Sequence, residues 1–359
     1  MSKDGRIAIC VMAGGIGERF WPLSRTMRPK QLLAITGERT MLRETIARHA
    51  GLSSPEDVFI ITTKEQSDLI VKEISELPEG NVIPEPCGRN TAPCVALGAA
   101  LLYAKDPESV MVVVSSDHHI PDSEAYRATI EDAIALARQE HALVTIGVVP
   151  RYPETGYGYI EGKEEISYPG KTKGMKVSRF LEKPLLAIAE ELYKTPGVFW
   201  NAGMFVFRTK DILAAFERFM PESNAALKEI TAKAGTEEER AAIENYYRVV
   251  EKISIDNAVM EKADNVAVLA ASFQWNDVGS WTSASAHWPE DEKGNRLKGE
   301  IKLLESENCI VGNYHEGLIG VIGLRDVVVI RTGDAVLVCA KDKVQDVKKL
   351  LTDLDEKYR

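Results

Sequence analysis

Ala13-Gly14-Gly15-Ile16-Gly17-Glu18-Arg19-Phe20-Trp21-Pro22-Leu23-Ser24-Arg25, with Arg28-Pro29-Lys30 just beyond, directly follows the apolar run Ile7-Ala8-Ile9-Cys10-Val11-Met12. A short apolar run ending in glycines reads as a buried strand. Glycines at its end let the backbone approach an anion and offer N–H groups without any side-chain charge, so phosphate binding follows. A P-loop would end in Gly-Lys-Ser/Thr, whereas Gly17 is followed by Glu18-Arg19. A dinucleotide fingerprint begun at Gly15-x-Gly17 would need its third glycine where Phe20 stands, which also weakens a nicotinamide-dependent oxidoreductase.

Arg19, Arg25, Arg28 and Lys30 place four cations within twelve positions of a 359-residue chain whose net charge is -10. The overall charge argues against nucleic acid or an anionic membrane as partner, since either needs a basic face. Local cations beside amide donors are what a polyphosphate needs: Arg19 suits bidentate contact and Lys30 a compact point charge. A tight turn with solvated surface cations is the alternative, and either half of the pattern alone would be weak. Apolar residues at 45% support a substantial core. Five scattered cysteines without C-x-x-C spacing fit a reduced cytoplasm. The stretch Met1-Ser2-Lys3-Asp4-Gly5 and the apolar run after it do not read as a secretory leader, and nothing approaches a membrane span.

The chain length favours one large α/β unit plus a smaller one. Strands are expected at Ile7–Met12, Val58–Thr62, Val110–Ser115 and Leu143–Val148, alternating with helices at Met41–Ala50, Glu65–Glu76, Ala92–Tyr103 and Ala125–Glu140, the pattern of βαβ units. Tyr152–Pro184 reads as an insertion forming a wall or lid, and helices resume at Lys210–Phe219, Pro221–Ala234 and Thr236–Val250. A polar linker over 288–295 leads to short strands at Cys309–Val311, Leu318–Ile322, Val327–Ile330 and Ala335–Val338, closed by a helix over Asp342–Lys357. The expected division is 1–288 and 289–359.

Two separated carboxylates stand out. Asp117 follows the strand Val110–Ser115, at the edge where ligands of open α/β sheets collect, and Asp277 lies in Gln274-Trp275-Asn276-Asp277-Val278-Gly279. Together with substrate phosphates they suit Mg2+ (or Mn2+), although either alone is more often a cap or turn residue. His118 and His119 lack a third ligand nearby and read as structural rather than zinc-binding.

The segment Gly14-Gly15-x-Gly17-x-Arg19-x-x-Pro22-Leu23 with Pro29-Lys30-Gln31 resembles the signature of nucleotidyltransferases that make nucleoside-diphosphate sugars, the nearest branch being the mannose-1-phosphate guanylyltransferases. The resemblance runs in order from Ala13 to Trp281 and implies a Rossmann-like domain with a mixed, mostly parallel sheet, followed by a small β-helix-like domain. It matches Asp117 and Asp277 to the metal ligands, and places Ala13, Gly14, Gly15, Gly17, Glu85, Pro86, Gly88, Asn90, Thr91 and Asp117 around the nucleotide. A capped helix start, with Thr91 as N-cap and Pro93 in the first turn, explains much of that second segment by itself. On the sugar side it matches Gly156, Tyr157, Gly158, Glu182, Lys183 and Asn201, with Asp256 in support.

The implied substrates are GTP and mannose 1-phosphate. The implied chemistry is in-line attack on the α-phosphorus, electrostatically assisted by Arg19 and Lys30, with Lys183 holding the attacking phosphate. Bifunctional relatives carry a further β-barrel isomerase domain for which the sequence leaves no room, so no phosphomannose isomerase activity is expected. A homodimer is expected from the relatives. The alternatives are another sugar-nucleotide pyrophosphorylase, using glucose 1-phosphate with UTP or dTTP, and a sugar-nucleotide sensor without turnover.

Overall fold

The computed structural model describes residues 5–359; the first four residues of the N-terminal stretch read for a leader lie outside them. The chain groups into two compact units, one of residues up to Gly14 with 46–115 and 120–275, the other of 15–45, 116–119 and 276–359.

The first unit is built on a nine-stranded sheet. Its strands are β1 (Ile7–Met12), β2 (Val58–Thr63), β3 (Val82–Glu85), β4 (Val110–Ser115), β5 (Leu143–Val148), β6 (Tyr159–Glu165), β7 (Gly174–Leu181), β8 (Val198–Arg208) and β9 (Val266–Ala270), in the order β3-β2-β1-β4-β8-β5-β9-β7-β6. The pairs β3–β2, β2–β1, β1–β4 and β5–β9 are parallel, while β8 runs antiparallel to both β4 and β5. The parallel block is apolar on both faces, since Ala8, Ile9, Cys10 and Val11 have no exposed surface. The segment read as a wall or lid supplies β6 and β7, an antiparallel pair that continues the sheet itself.

The helices of the chain up to residue 249 are α1 (Met41–Arg48), α2 (Lys64–Glu73), α3 (Thr91–Lys105), α4 (Ser123–Glu140), α5 (Leu186–Leu192), α6 (Thr209–Phe219), α7 (Pro221–Lys233) and α8 (Glu239–Val249). Helix α3 is buried without interruption from Ala92 to Leu102, because its sequence is apolar all round instead of along one stripe. Gly98 makes that possible: a Cβ there would stand 3.0 Å from Cys10 Sγ. Helix α4 is capped by Asp122, whose carboxylate accepts from the Ala125 N–H at 2.9 Å.

The second unit contains α9 (Trp281–Ser285) and the strands β10 (Arg296–Lys298), β11 (Ile301–Leu304), β12 (Ile310–Asn313), β13 (Ile319–Ile322), β14 (Val327–Arg331) and β15 (Val336–Ala340). Strands β10, β12 and β14 stack in parallel, as do β11 and β13, and β15 closes the first stack antiparallel. Parallel stacking of strands from successive turns of chain is β-helix-like geometry. The closing helix expected over Asp342–Lys357 is instead a series of short turns, with only Val347–Leu350, α10, α-helical. Apolar residues of 15–45 share one core with this tail: Phe20, Trp21, Leu23, Leu33 and Ile35 cluster with Trp281, Trp288, Ile310, Ile330 and Leu337. Trp281 is wholly buried, edge-on to Phe20 with ring centroids 5.1 Å apart.

Candidate active site

In the second unit, Gly17 turns the loop with φ 74° and starts the short 3-10 turn Glu18–Phe20. A Cβ on Gly17 would lie 2.3 Å from that of Lys30, so only glycine lets the two segments meet. The Lys30 N–H donates to Ile16 O at 3.0 Å, and the Ser24 hydroxyl to Gly17 O at 2.7 Å. Glycine loop and Pro29-Lys30 are thereby one structure.

Lys30 is 4% exposed. Its Nζ donates to Asp117 Oδ2 at 2.8 Å and to the Asp277 carbonyl at 2.9 Å. The two aspartate segments are paired through the backbone, His119 N–H to Asn276 O at 2.8 Å and Asn276 N–H to His119 O at 3.0 Å. Residues 160 positions apart in sequence are thus brought to one ammonium group. Burial alone would raise the Asp117 carboxyl, but Lys30, His118 and the hydrogen bond from Lys30 together hold it below the ordinary range. Asp277 is oriented locally. Its Oδ1 accepts the Gly279 N–H at 3.1 Å, a Cβ on Gly279 would stand 2.6 Å from its Oδ2, and Val278 takes a left-handed φ of 47°.

The carboxylates of Asp117 and Asp277 are the kind of oxygen donor that hard divalent cations prefer. Among the described residues no group of three or more His, Cys, Asp or Glu is placed to hold a metal by itself, so a cation here would keep waters or substrate oxygens. The His119 ring lies tilted against that of His287, with ring centroids 4.0 Å apart. Arg19 is half-buried and its Nε has no hydrogen-bond partner among the described residues, a donor suited to an anion. The other two cations of the loop behave differently: Arg25 pairs with Asp334 at 3.2 Å and lies over the Trp21 ring, and Arg28 is exposed.

In the first unit, Ala13 leaves β1 with its carbonyl accepting from Thr62 Oγ1 at 2.8 Å. Glu85, at the carboxyl end of β3, is 5% exposed; its Oε1 accepts from the Tyr247 hydroxyl at 2.6 Å, and its Oε2 is 3.6 Å from where a Cβ on Gly14 would sit. Burial pushes the Glu85 carboxyl up to about 7, against the pull of Tyr247. Pro86 and Gly88 are exposed. The N-cap of α3 is Asn90, not Thr91: Asn90, at φ 68°, accepts from the Thr91 N–H at 2.8 Å. Thr91 is thereby the first residue of the helix, and its Oγ1 instead accepts the Ile255 N–H at 2.9 Å.

The residues expected on the sugar side gather around Gly158, where a Cβ would stand 2.5 Å from Glu182 Oε2. The Asn201 N–H donates to Gly158 O at 2.8 Å, and its Nδ2 to Asp256 Oδ1 at 2.7 Å. Asn201 Oδ1 accepts the Gly203 N–H at 3.0 Å. Lys183, at a left-handed φ of 46°, pairs with Glu182 at 2.9 Å. Gly156 donates its N–H to Glu154 at 2.8 Å, and the Tyr157 ring stands edge-on to Trp200 and Trp275. Burial and then the Glu182 charge raise the Asp256 carboxyl to about 6, with Asn201 opposing. Sequence reasoning missed Tyr247 and Trp275 as site neighbours. Tyr247 lies within an ordinary amphipathic helix 162 residues from Glu85, and no local signal marks it.

The Nucleotidyl transferase family matches residues 8–293, and the MannoseP isomerase/GMP-like beta-helix domain matches residues 299–354. Mannose-1-phosphate guanylyltransferase from Klebsiella pneumoniae is 37% identical over 352 residues, 97% of this chain and 74% of its own. Mannose-1-phosphate guanylyltransferase ManC of Salmonella typhimurium is 39% identical over 354 residues, 95% of this chain and 72% of its own. A crystal structure from Thermus thermophilus, described as a mannose-1-phosphate geranyltransferase, superposes with a TM-score of 0.85 at 33% identity, covering 97% of this chain and 99% of that one.

Proposed function

The chain belongs to the nucleotidyl transferase family, and from that premise we propose that it transfers GMP from GTP to α-D-mannose 1-phosphate, giving GDP-mannose and pyrophosphate. The observation that carries the reading is the buried Lys30 ammonium spanning Asp117 and the Asp277 carbonyl. A binder without turnover has no need to keep a buried cation between two such carboxylate segments.

The sugar phosphate oxygen is already anionic at neutral pH, so attack on the α-phosphorus needs no general base. The barrier is charge repulsion, and the chain lowers it by positioning and by cations. Lys30 and Arg19 take the catalytic role, stabilising charge that moves onto the leaving pyrophosphate. Ala13, Gly14, Gly15, Gly17, Glu85, Pro86, Gly88, Asn90, Thr91 and Asp117 are assigned to the nucleotide. Gly156, Tyr157, Gly158, Glu182, Lys183, Asn201 and Asp256 are assigned to the sugar phosphate, with Lys183 on its phosphate. Asp117 and Asp277 would hold Mg2+ (or Mn2+), which supplies Lewis-acid neutralisation of phosphate charge.

The division at residues 1–288 and 289–359 belongs to the same reading, supported by the two family matches that meet near it. So do a cytoplasmic location, supported by five free cysteines, and a homodimer. Among the described residues no helix is long and apolar enough to cross a membrane. Incubation with Mg2+, each NTP and a panel of sugar 1-phosphates, read as pyrophosphate release, tests the proposal. GTP with mannose 1-phosphate is expected to react fastest; faster release from glucose 1-phosphate with UTP or dTTP would transfer the assignment to that pair.

A further inference from the structure

Lys298 closes β10, outside every motif considered so far. Its Nζ donates to the carbonyls of Ala34 at 3.0 Å and Ile35 at 3.1 Å, and lies 5.9 Å and 5.3 Å from the ring centroids of Trp288 and Tyr314. The Trp288 indole N–H adds a third bond, to Ile35 O at 3.3 Å. The segment they hold begins at Lys30: Leu33 N–H donates back to Lys30 O at 3.0 Å across the turn Lys30–Leu32, and Ala34 and Ile35 follow. Continuous short bonds therefore run from Lys298 through the Ala34 and Ile35 carbonyls to the backbone of Lys30, whose Nζ lies on Asp117.

A half-buried ammonium against two aromatic rings is costly to desolvate, and burial pulls Lys298 below the ordinary lysine value. An apolar residue of similar length would fill the space at no such cost. What the ammonium adds is direction, since two charge-assisted bonds fix where two carbonyls lie and hence the course of the chain that leaves Lys30–Leu32. The Lys30 stem has little freedom to absorb a shift, because its Cβ abuts Gly17.

We propose that Lys298 is a positioning residue for the phosphate clamp: the C-terminal segment, through Lys298 and Trp288, sets where the Lys30 ammonium stands. The inference rests on the assignment of Lys30 to the leaving pyrophosphate. It makes the β-helix-like tail part of the catalytic apparatus and not an appended module.

The test uses the full chain with Lys298→Met, which keeps the stem between the rings and removes the donors, and with Lys298→Arg, which restores them. Kinetics are measured in both directions beside thermal midpoints. A displacement near 1 Å costs up to about a hundredfold, so Lys298→Met is expected to raise the KM for pyrophosphate and lower kcat by about tenfold or more. The KM for mannose 1-phosphate should stay unchanged, and Lys298→Arg should recover most of the loss. A lowered midpoint with all kinetic constants intact, or equal losses for both substrates, overturns the inference by showing a merely structural role. If Lys298→Met does not fold, Trp288→Phe, which removes the indole donor together with part of its ring, decides in its place, a selective rise in the pyrophosphate KM supporting the inference and unchanged constants overturning it. Wild-type protein that releases no pyrophosphate from any pair would remove the proposed function, and this inference with it; an active wild type with unaltered variants removes the inference alone.

Discussion

The phenol of Tyr247 in α8 donates to Glu85 Oε1 across 2.6 Å, tying a helix to the end of an edge strand 162 residues away and leaving Oε2 toward Gly14. Burial has raised this carboxyl to about 7, so the folded protein favours its neutral form. The unfolded chain titrates Glu near 4.3. Between those values the native state holds more protons than the unfolded one, so the stability Glu85 contributes is full below the unfolded pKa and is lost as pH rises through about 7. Glu85→Gln should flatten this decline and leave the variant more stable than wild type at about pH 8, by roughly 3–4 kcal/mol at most. Tyr247→Phe removes the bond that holds the value down, and should extend the decline to higher pH. Thermal midpoints measured across the range check both; parallel curves for wild type and Glu85→Gln would rule the effect out.

Lys30→Ala removes the ammonium shared by Asp117 and Asp277. Loss of one such electrostatic donor commonly costs about a hundredfold or more in rate. Pyrophosphate release should fall by that order, and a variant with full turnover would dismiss Lys30 from catalysis.

Gly17→Ala reaches the same group through the backbone. An alanine must hold φ near 74° and avoid the Lys30 Cβ 2.3 Å away. The conformation alone costs roughly 1–3 kcal/mol. The expected outcome is a lower thermal midpoint together with lost activity at temperatures where the variant is still folded, measured by melting and by assay of the same preparation.

Asp277→Asn leaves an oxygen donor but removes a charge. If Asp277 holds the divalent cation, the variant should need about tenfold or more Mg2+ for half-maximal rate. Chelation should abolish wild-type turnover, and Mg2+ or Mn2+ should restore it. A Mg2+ titration superimposable on the wild type would take Asp277 out of the metal site.

Asp256 is raised to about 6, and Asn201 donates to it. As pH falls through that value the carboxylate is neutralised and the Asn201 amide loses its charged acceptor, so the KM for mannose 1-phosphate should rise. The substrate's own phosphate titrates near 6 as well, which makes the comparison with Asp256→Asn decisive. The ratio of variant to wild-type KM should be well above one at about pH 8 and approach one at about pH 5. A ratio constant across that span would free Asn201 from Asp256.

Where a feature depends on neighbours in sequence, reading the chain was enough. Strand β1 ends at Met12 as expected, since six consecutive apolar residues followed by glycines have few other uses. Helices Thr209–Phe219 and Pro221–Lys233 follow the expected segments closely. Strands β3, β8 and β9 went unread: β3 is four residues long with an internal proline, β8 crosses the Trp200-Asn201-Ala202-Gly203 motif, and β9 looks like any short apolar run. The tail's closing helix failed because its apolar residues, Val344 and Val347, are buried from separate short turns.

Sequence alone determined strand β1, the glycine turn that follows it and the helices Thr209–Phe219 and Pro221–Lys233, because each depends on residue type and local spacing. It did not determine that Lys30 would be buried between Asp117 and Asp277, that Tyr247 would hold Glu85, or that residues 15–45 would share a core with the tail. Those depend on which apolar surfaces pack together across long stretches of intervening chain, a choice made by burial over the whole molecule and invisible in any local window.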